Sequence, residues 1–206
     1  MTRAFHLPVV LAGACFEALV VGAGRVAARR VHTLLEAGVN VRVLAPTVAP
    51  DLTELAARDD RLTITRAVYV SSEIGSAHLV VAATDDASLN ARIAEDARSL
   101  RRLVNVVDAP ELGNFVIPAV HRSHDLVIAV SAGGLPRVAS TLRDRIAARF
   151  DDRYGAALRQ LSQMRRRLLD AGDRKRWQSA SEALVGEDFC EVIERGDFAE
   201  RMRAWR

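Results

Sequence analysis

Apolar positions along this chain switch their period repeatedly, and each switch marks an element. Residues 18–21 form an unbroken apolar run with two valines, the pattern of a strand buried on both faces. Gly22-Ala23-Gly24 interrupts it. Residues 25–37 then place Val26, Ala27, Val31, Leu34 and Leu35 on one helical face, with Gly38 as the C′ stop. Val39, Val41 and Val43 alternate with Asn40 and Arg42, predicting a strand over 39–45 that Pro46 ends. Asp51 is expected to cap a short helix carrying Leu52 and Leu55. Strands follow at 61–67, 78–83 and 103–107, with a helix over 86–100 built on Leu89, Ile93 and Ala97.

Alternation of strand and helix in this order predicts an α/β fold with a mostly parallel, doubly wound sheet. Two more strands are expected at 115–117 and 125–130, then a turn, Ser131-Ala132-Gly133-Gly134, and a helix over 136–149. Beyond Phe150 no strand pattern remains. Leu158, Leu161, Met164, Leu168 and Leu169 have helical spacing, and Ala180, Leu184, Phe189, Val192 and Ile193 suggest shorter helices. The expected division is a first domain at 1–112, a small α/β region at 113–149 and a helical domain at 150–206.

Composition narrows the class. With half of its 206 residues hydrophobic and 27% charged, the chain reads as soluble and globular. The net charge of +3 is too small to argue for nucleic acid, and no recognition motif accompanies the arginines. Those arginines are nevertheless lopsided: Lys175 is the only lysine among the 29 basic residues, so bidentate grip on carboxylate or phosphate is available. Cys15 and Cys190 form no CxxC, and the five histidines form no HExxH pair, so no metal site is expected and a reducing compartment is. Arg3 followed by the apolar stretch from Leu7 faintly resembles a secretory leader. His6 and Pro8 interrupt it, and it runs on into the first strand, so a cytoplasmic chain without a membrane span is expected.

The strongest chemical signal is Gly22-Ala23-Gly24-Arg25-Val26-Ala27, which has the form G-x-G-x-x-A. The first glycine permits a tight turn, the second lets backbone approach a pyrophosphate, and the small third residue packs helix on strand. A helix N-terminus there offers free N–H groups and partial positive charge to phosphates. Set between an apolar strand and an amphipathic helix, the motif predicts a Rossmann-type domain binding a nicotinamide dinucleotide. The ribose partner is not found at the end of the second strand, where Pro46 and Thr47 stand, so the residues alone do not separate NAD from NADP. Thr84-Asp85-Asp86 follows the fourth strand at the switch point, where Asp85 or Asp86 also serves as a helix cap. Asp108 ends the fifth strand on the ligand side, and Gly133-Gly134 offers a second anion-accepting turn flanked by Arg122, Arg137 and Arg143.

Taken together, Val20–Arg30, Leu34–Gly38, Ala82–Asp86, Asn105–Glu111, Phe115–Ala119 and Val130–Gly134 resemble the precorrin-2 dehydrogenase family, including the dehydrogenase/ferrochelatase module of siroheme synthases. The likeness runs over about residues 5 to 147. It implies NAD as cofactor and oxidation of precorrin-2 to sirohydrochlorin, with loss of a hydride and a proton. It also implies a homodimer in which residues around 114–147 help build the partner's cleft. Asp108 takes the family's functional aspartate position. Contacts to cofactor fall on Gly22, Gly24, Arg25, Val26, Pro46, Thr47, Thr84 and Asp85. Substrate contacts fall on Asn105, Arg122, Ser131, Gly133, Gly134 and Arg137, the arginines facing a tetrapyrrole with eight carboxylates. This chain has Ala23 and Ala132 where relatives often carry glycine and serine, and a shorter turn at Leu135-Pro136-Arg137. These departures bear on iron insertion rather than oxidation. A bifunctional dehydrogenase and ferrochelatase, and a non-catalytic regulator or carrier binding NAD and tetrapyrrole, are the alternatives.

Overall fold

The computed structural model describes residues 7–205, so Arg3 and His6 of the leader-like segment lie outside the described residues. The chain forms two compact units, one ending at Ile117 and the other beginning at Pro118.

The first unit is a five-stranded parallel sheet in the order β3-β2-β1-β4-β5. Its strands are β1 (Glu17–Val21), β2 (Asn40–Leu44), β3 (Leu62–Thr65), β4 (Leu79–Ala82) and β5 (Leu103–Val106). Three helices cover it: α1 (Arg25–Glu36), α2 (Pro50–Ala56) and α3 (Ala87–Ser99). Because successive side chains leave a strand on opposite faces, the sheet builds two cores. Val20, Val43 and Val81 pack with Val31, Leu34 and Leu52 on one face. Leu19, Val80 and Val104 pack with Ile93 and Ala97 on the other. The central strand β1 is therefore apolar and buried after Glu17, and β4 is buried at every position.

Gly38 ends α1 as its position predicted. Its φ is +83°, its N–H reaches the Leu35 carbonyl at 2.9 Å, and the Val39 N–H reaches Leu34 at 3.0 Å, which together close a Schellman motif. Asp51 does not cap α2. The cap is Ala49, Pro50 opens the helix, and the Asp51 carboxylate turns to the Leu52 N–H at 3.0 Å. Between β3 and β4 a 3₁₀ turn at Ser71–Ile74 replaces a crossover helix. There the buried Tyr69 donates its hydroxyl to Asp96 of α3 at 2.9 Å.

No strand forms at 115–117. Pro118 lacks an N–H, and three apolar residues are too few to compete. The segment instead lies along β5 through Asn114, whose side chain accepts from the Val104 N–H at 2.7 Å and donates to the Arg102 carbonyl at 3.0 Å. The strand that does form is β6 (Ala119–Ser123), which pairs antiparallel with β7 (Leu126–Val130). His124 takes a φ of +52° at the tight turn between them.

The second unit joins this hairpin to α4 (Pro136–Arg149), α5 (Asp152–Asp170), α6 (Arg174–Leu184), α7 (Phe189–Arg195) and α8 (Phe198–Arg203). Leu161, Met164, Leu168, Leu184 and Ile193 form its core, with Leu126 of the hairpin packed against them. Ser123 is buried and donates to Asp152 at 2.7 Å, and Gly155 of α5 has no room for a side chain beside Ser123. Residues 118–149 and 150–206 fall within one compact unit. None of the described helices is long and apolar enough to cross a membrane.

Candidate functional site

Gly22 leaves β1 with φ +107°, and its N–H donates to the Leu44 carbonyl at the end of β2 at 2.9 Å. Gly24 is the N-cap of α1, with φ −80° and extended backbone. It has no side chain to cap the helix, and no acid stands in the first turn. The amides of Arg25 and Val26 are therefore available to an anion that also gains from the helix dipole. A Cβ placed on Gly24 would meet no atom within 4 Å. Open space over a bare backbone at a helix N-terminus is the cradle a pyrophosphate requires, so these residues fit the dinucleotide. Arg25 is exposed, Val26 half-buried, and Pro46 and Thr47 are exposed just past β2, in the strand beside the turn.

Thr84 and Asp85 follow β4, the strand on the other side of β1. Asp86, not Asp85, caps α3: its carboxylate accepts from the Ser88 N–H at 2.8 Å and the Leu89 N–H at 3.1 Å. The Ser88 hydroxyl at 2.7 Å and these amides hold the Asp86 carboxyl below the usual aspartate range. Asp85 is exposed. Thr84 is gripped by Asn90, a buried residue of α3 that sequence reasoning missed. The available signal was an amide on the same helical face as Ile93 and Ala97.

Asp108 follows β5 on the same sheet edge as the glycine turn. Val21 pairs with Ala82 and Ala82 with Val106, so the three strands end level. At the usual strand spacing Asp108 lies about 10 Å across the sheet from the turn. It is exposed, as an acid or base working on a bound ligand must be. Asn105 is different: it is 4% exposed, and its amide donates to the Phe115 carbonyl at 3.2 Å.

The remaining predicted residues belong to the second unit. Gly133 and Gly134 have φ of +56° and +83°, and the Leu135 N–H closes the turn on Ala132 at 2.9 Å. Two left-handed residues inside such a bond make a type I′ turn, which explains why both are glycine. Ser131 and Arg137 flank this turn and are exposed. Arg122 pairs with Val127, while Ser131 follows Val130, so the hairpin holds Arg122 roughly 14 Å along the strand from Ser131. Arg143 is engaged with Asp144 at 2.7 Å and reaches the Val120 carbonyl at 3.5 Å.

The chain is 35% identical over 204 residues to the siroheme synthase of Nitrosococcus oceani, covering 97% of this chain and 41% of that protein. It is 35% identical over 175 residues to the siroheme synthase of Methylobacillus flagellatus, covering 82% and 37%. The chain thus spans about two fifths of the length of the curated relatives it matches. Among solved structures, "SirC, precorrin-2 dehydrogenase" superposes with a TM-score of 0.78 at 22% identity, over 97% of this chain and 98% of that one, and so shares its fold. A family model described as "Putative NAD(P)-binding" matches residues 10–119, which contain the glycine turn, the Thr84 loop and Asp108, and the chain belongs to that NAD(P)-binding family.

Proposed function

We propose that this chain is an NAD-dependent dehydrogenase of siroheme biosynthesis that oxidises precorrin-2 to sirohydrochlorin. The observation that carries the reading is the shared sheet edge: an open phosphate cradle at Gly24 and an exposed carboxylate at Asp108 follow strands that end level. When bound, NAD⁺ supplies the hydride acceptor. Asp108 then takes the proton that leaves the macrocycle, so that two electrons and two hydrogens are removed together. The glycine turn and the N-terminus of α1 orient the diphosphate, and Pro46, Thr47, Thr84 and Asp85 border it. Arg122, Arg137 and the Ser131–Gly134 turn pair with substrate carboxylates. Names of relatives support the substrate: siroheme synthases and a precorrin-2 dehydrogenase.

The same reading assigns a homodimer in the cytoplasm. Val127, Leu135, Val138 and Leu142 leave apolar surface on β7 and the start of α4, which supports burial against a second copy. Two free cysteines suit a reducing compartment. The experiment is direct. Purified chain mixed with precorrin-2 and NAD⁺ forms sirohydrochlorin and NADH in equal amounts. Sirohydrochlorin formation that does not depend on NAD⁺ overturns the proposal.

A further inference from the structure

We infer that Asn90 is a positioning residue for the dinucleotide turn and acts through Thr84, an inference that rests on the cofactor reading above. Asn90 is 4% exposed and shares the inner face of α3 with Ile93, Ala94 and Ala97, each at 0%. An amide buried there without partners is strongly unfavourable. Its partners all come from one residue. The Asn90 Oδ1 accepts from the Thr84 N–H at 3.2 Å and the Thr84 hydroxyl at 2.7 Å, and Nδ2 donates to the Thr84 carbonyl at 3.0 Å. The Thr84 Oγ1 also accepts from the Asp86 N–H at 3.2 Å. Both donors of Thr84 are engaged in this clasp, so its backbone and its χ1 are fixed together, and a ligand meets it only as an acceptor or through its methyl group.

The peptide held this way is the wall of the phosphate turn. A Cβ on Gly22 would stand 2.3 Å from the Ala83 carbonyl oxygen and 3.1 Å from the Thr84 nitrogen. Gly22 therefore rests on the Ala83–Thr84 peptide, and Asn90 sets where that peptide lies. Capping α3 does not account for Asn90, because Asp86 performs that role. A relay from Asn90 to Thr84 to Gly22 follows, in which a buried amide on one face of the sheet fixes a loop that must remain open for ligand.

Amide exchange by mass spectrometry and NAD⁺ titration test it on the full chain. In Asn90→Leu, which keeps the volume and removes the clasp, the amides of residues 22–24 and 84–86 exchange faster while those within β1 and β4 do not. The dissociation constant for NAD⁺ rises roughly tenfold, the scale of one lost hydrogen bond. At saturating NAD⁺ kcat changes less than about twofold, the split expected when only ground-state positioning is lost. Asn90→Asp, which retains the two acceptor contacts, falls between the two. If Asn90→Leu does not fold, Asn90→Asp, which loses the bond to the Thr84 carbonyl, and Thr84→Val, which loses the bonds of the Thr84 hydroxyl to Asn90 and Asp86, provide the same comparison. Unchanged exchange at residues 22–24, or NAD⁺ affinity within twofold of the parent, overturns the inference. Should the parent itself not bind NAD⁺, the cofactor reading fails, and exchange at residues 22–24 still decides the relay.

Discussion

Gly22 lies against Ala83 so closely that a methyl group at Gly22 would stand 2.3 Å from the Ala83 carbonyl oxygen. The contact is backbone on backbone, so no side chain can rotate away to relieve it. The φ of +107° adds a second penalty for any residue with a Cβ. Gly22→Ala should therefore lose roughly 2–4 kcal/mol of stability, combining strain with overpacking. Urea unfolding of the purified variant measures this, and a loss below about 0.5 kcal/mol would show that the turn relaxes freely.

Gly24 predicts the opposite behaviour two residues later. Its φ of −80° suits alanine, and no atom lies within 4 Å of the added methyl. Gly24→Ala should fold with a Tm within a few degrees of the parent, since only the modest preference of an N-cap for glycine over alanine is lost. The methyl would instead fill the space a diphosphate needs. NAD⁺ affinity should fall at least roughly tenfold. Calorimetric titration beside thermal unfolding separates the two effects, and equal loss of both would make Gly24 a structural glycine.

Asp108 should separate chemistry from binding. It is exposed and, among the described residues, holds no hydrogen bond, so Asp108→Asn leaves the fold and the phosphate turn as they were. Loss of a positioned proton acceptor typically costs about 10²–10⁴ in rate. Turnover of precorrin-2 should drop on that scale while NAD⁺ affinity stays within twofold. A variant with full turnover would remove Asp108 from the reaction.

The sheet was legible in the sequence because its two periods are clean. Residues 18–21 and 79–82 are apolar at every position, and the Gly22–Gly24 and Gly38 turns punctuate α1 where backbone conformation demands it. The hairpin was not legible at its first strand. Ala119-Val120-His121-Arg122-Ser123 has no alternation, since His121 and Ser123 face inward through polar contacts: His121 Nε2 lies 2.7 Å from the Phe150 carbonyl, and Ser123 donates to Asp152. Of the site, the glycine turn, Thr84 and Asp108 were readable from their places after strands. Asn90 was hidden because its partners come from a loop six residues earlier, which periodicity does not report. Asn105 entered only through the family resemblance, and its bond to the Phe115 carbonyl depends on how the chain returns over β5.

Stability should fall toward both ends of the pH scale, for reasons that lie in different groups. Glu194 is held below its ordinary value by Arg149 at 2.9 Å and by the Tyr154 hydroxyl at 2.8 Å. Asp151 is lowered by Arg153, and Asp86 by Ser88 and the α3 amides. A carboxyl whose folded pKa is depressed contributes stability that is fully present above its unfolded value and disappears as pH falls through its folded one. The acid limb should therefore begin near the ordinary values of 4.5 for Glu194 and 3.8 for the aspartates, and continue below them. The tyrosines act in reverse. Burial pushes the hydroxyls of Tyr69 and Tyr154 up, and the carboxylates of Asp96 and Glu194 reinforce this. Their contribution is present below the ordinary value of 10.0 and is lost as pH rises above it, because only the unfolded chain ionises there. Thermal unfolding across pH measures both limbs. Glu194→Gln should lower Tm at neutral pH and flatten the acid limb, and Tyr69→Phe should flatten the alkaline one. An acid limb equally steep in Glu194→Gln would show that the links from Arg149 of α4 and Tyr154 of α5 to α7 are too well screened to matter.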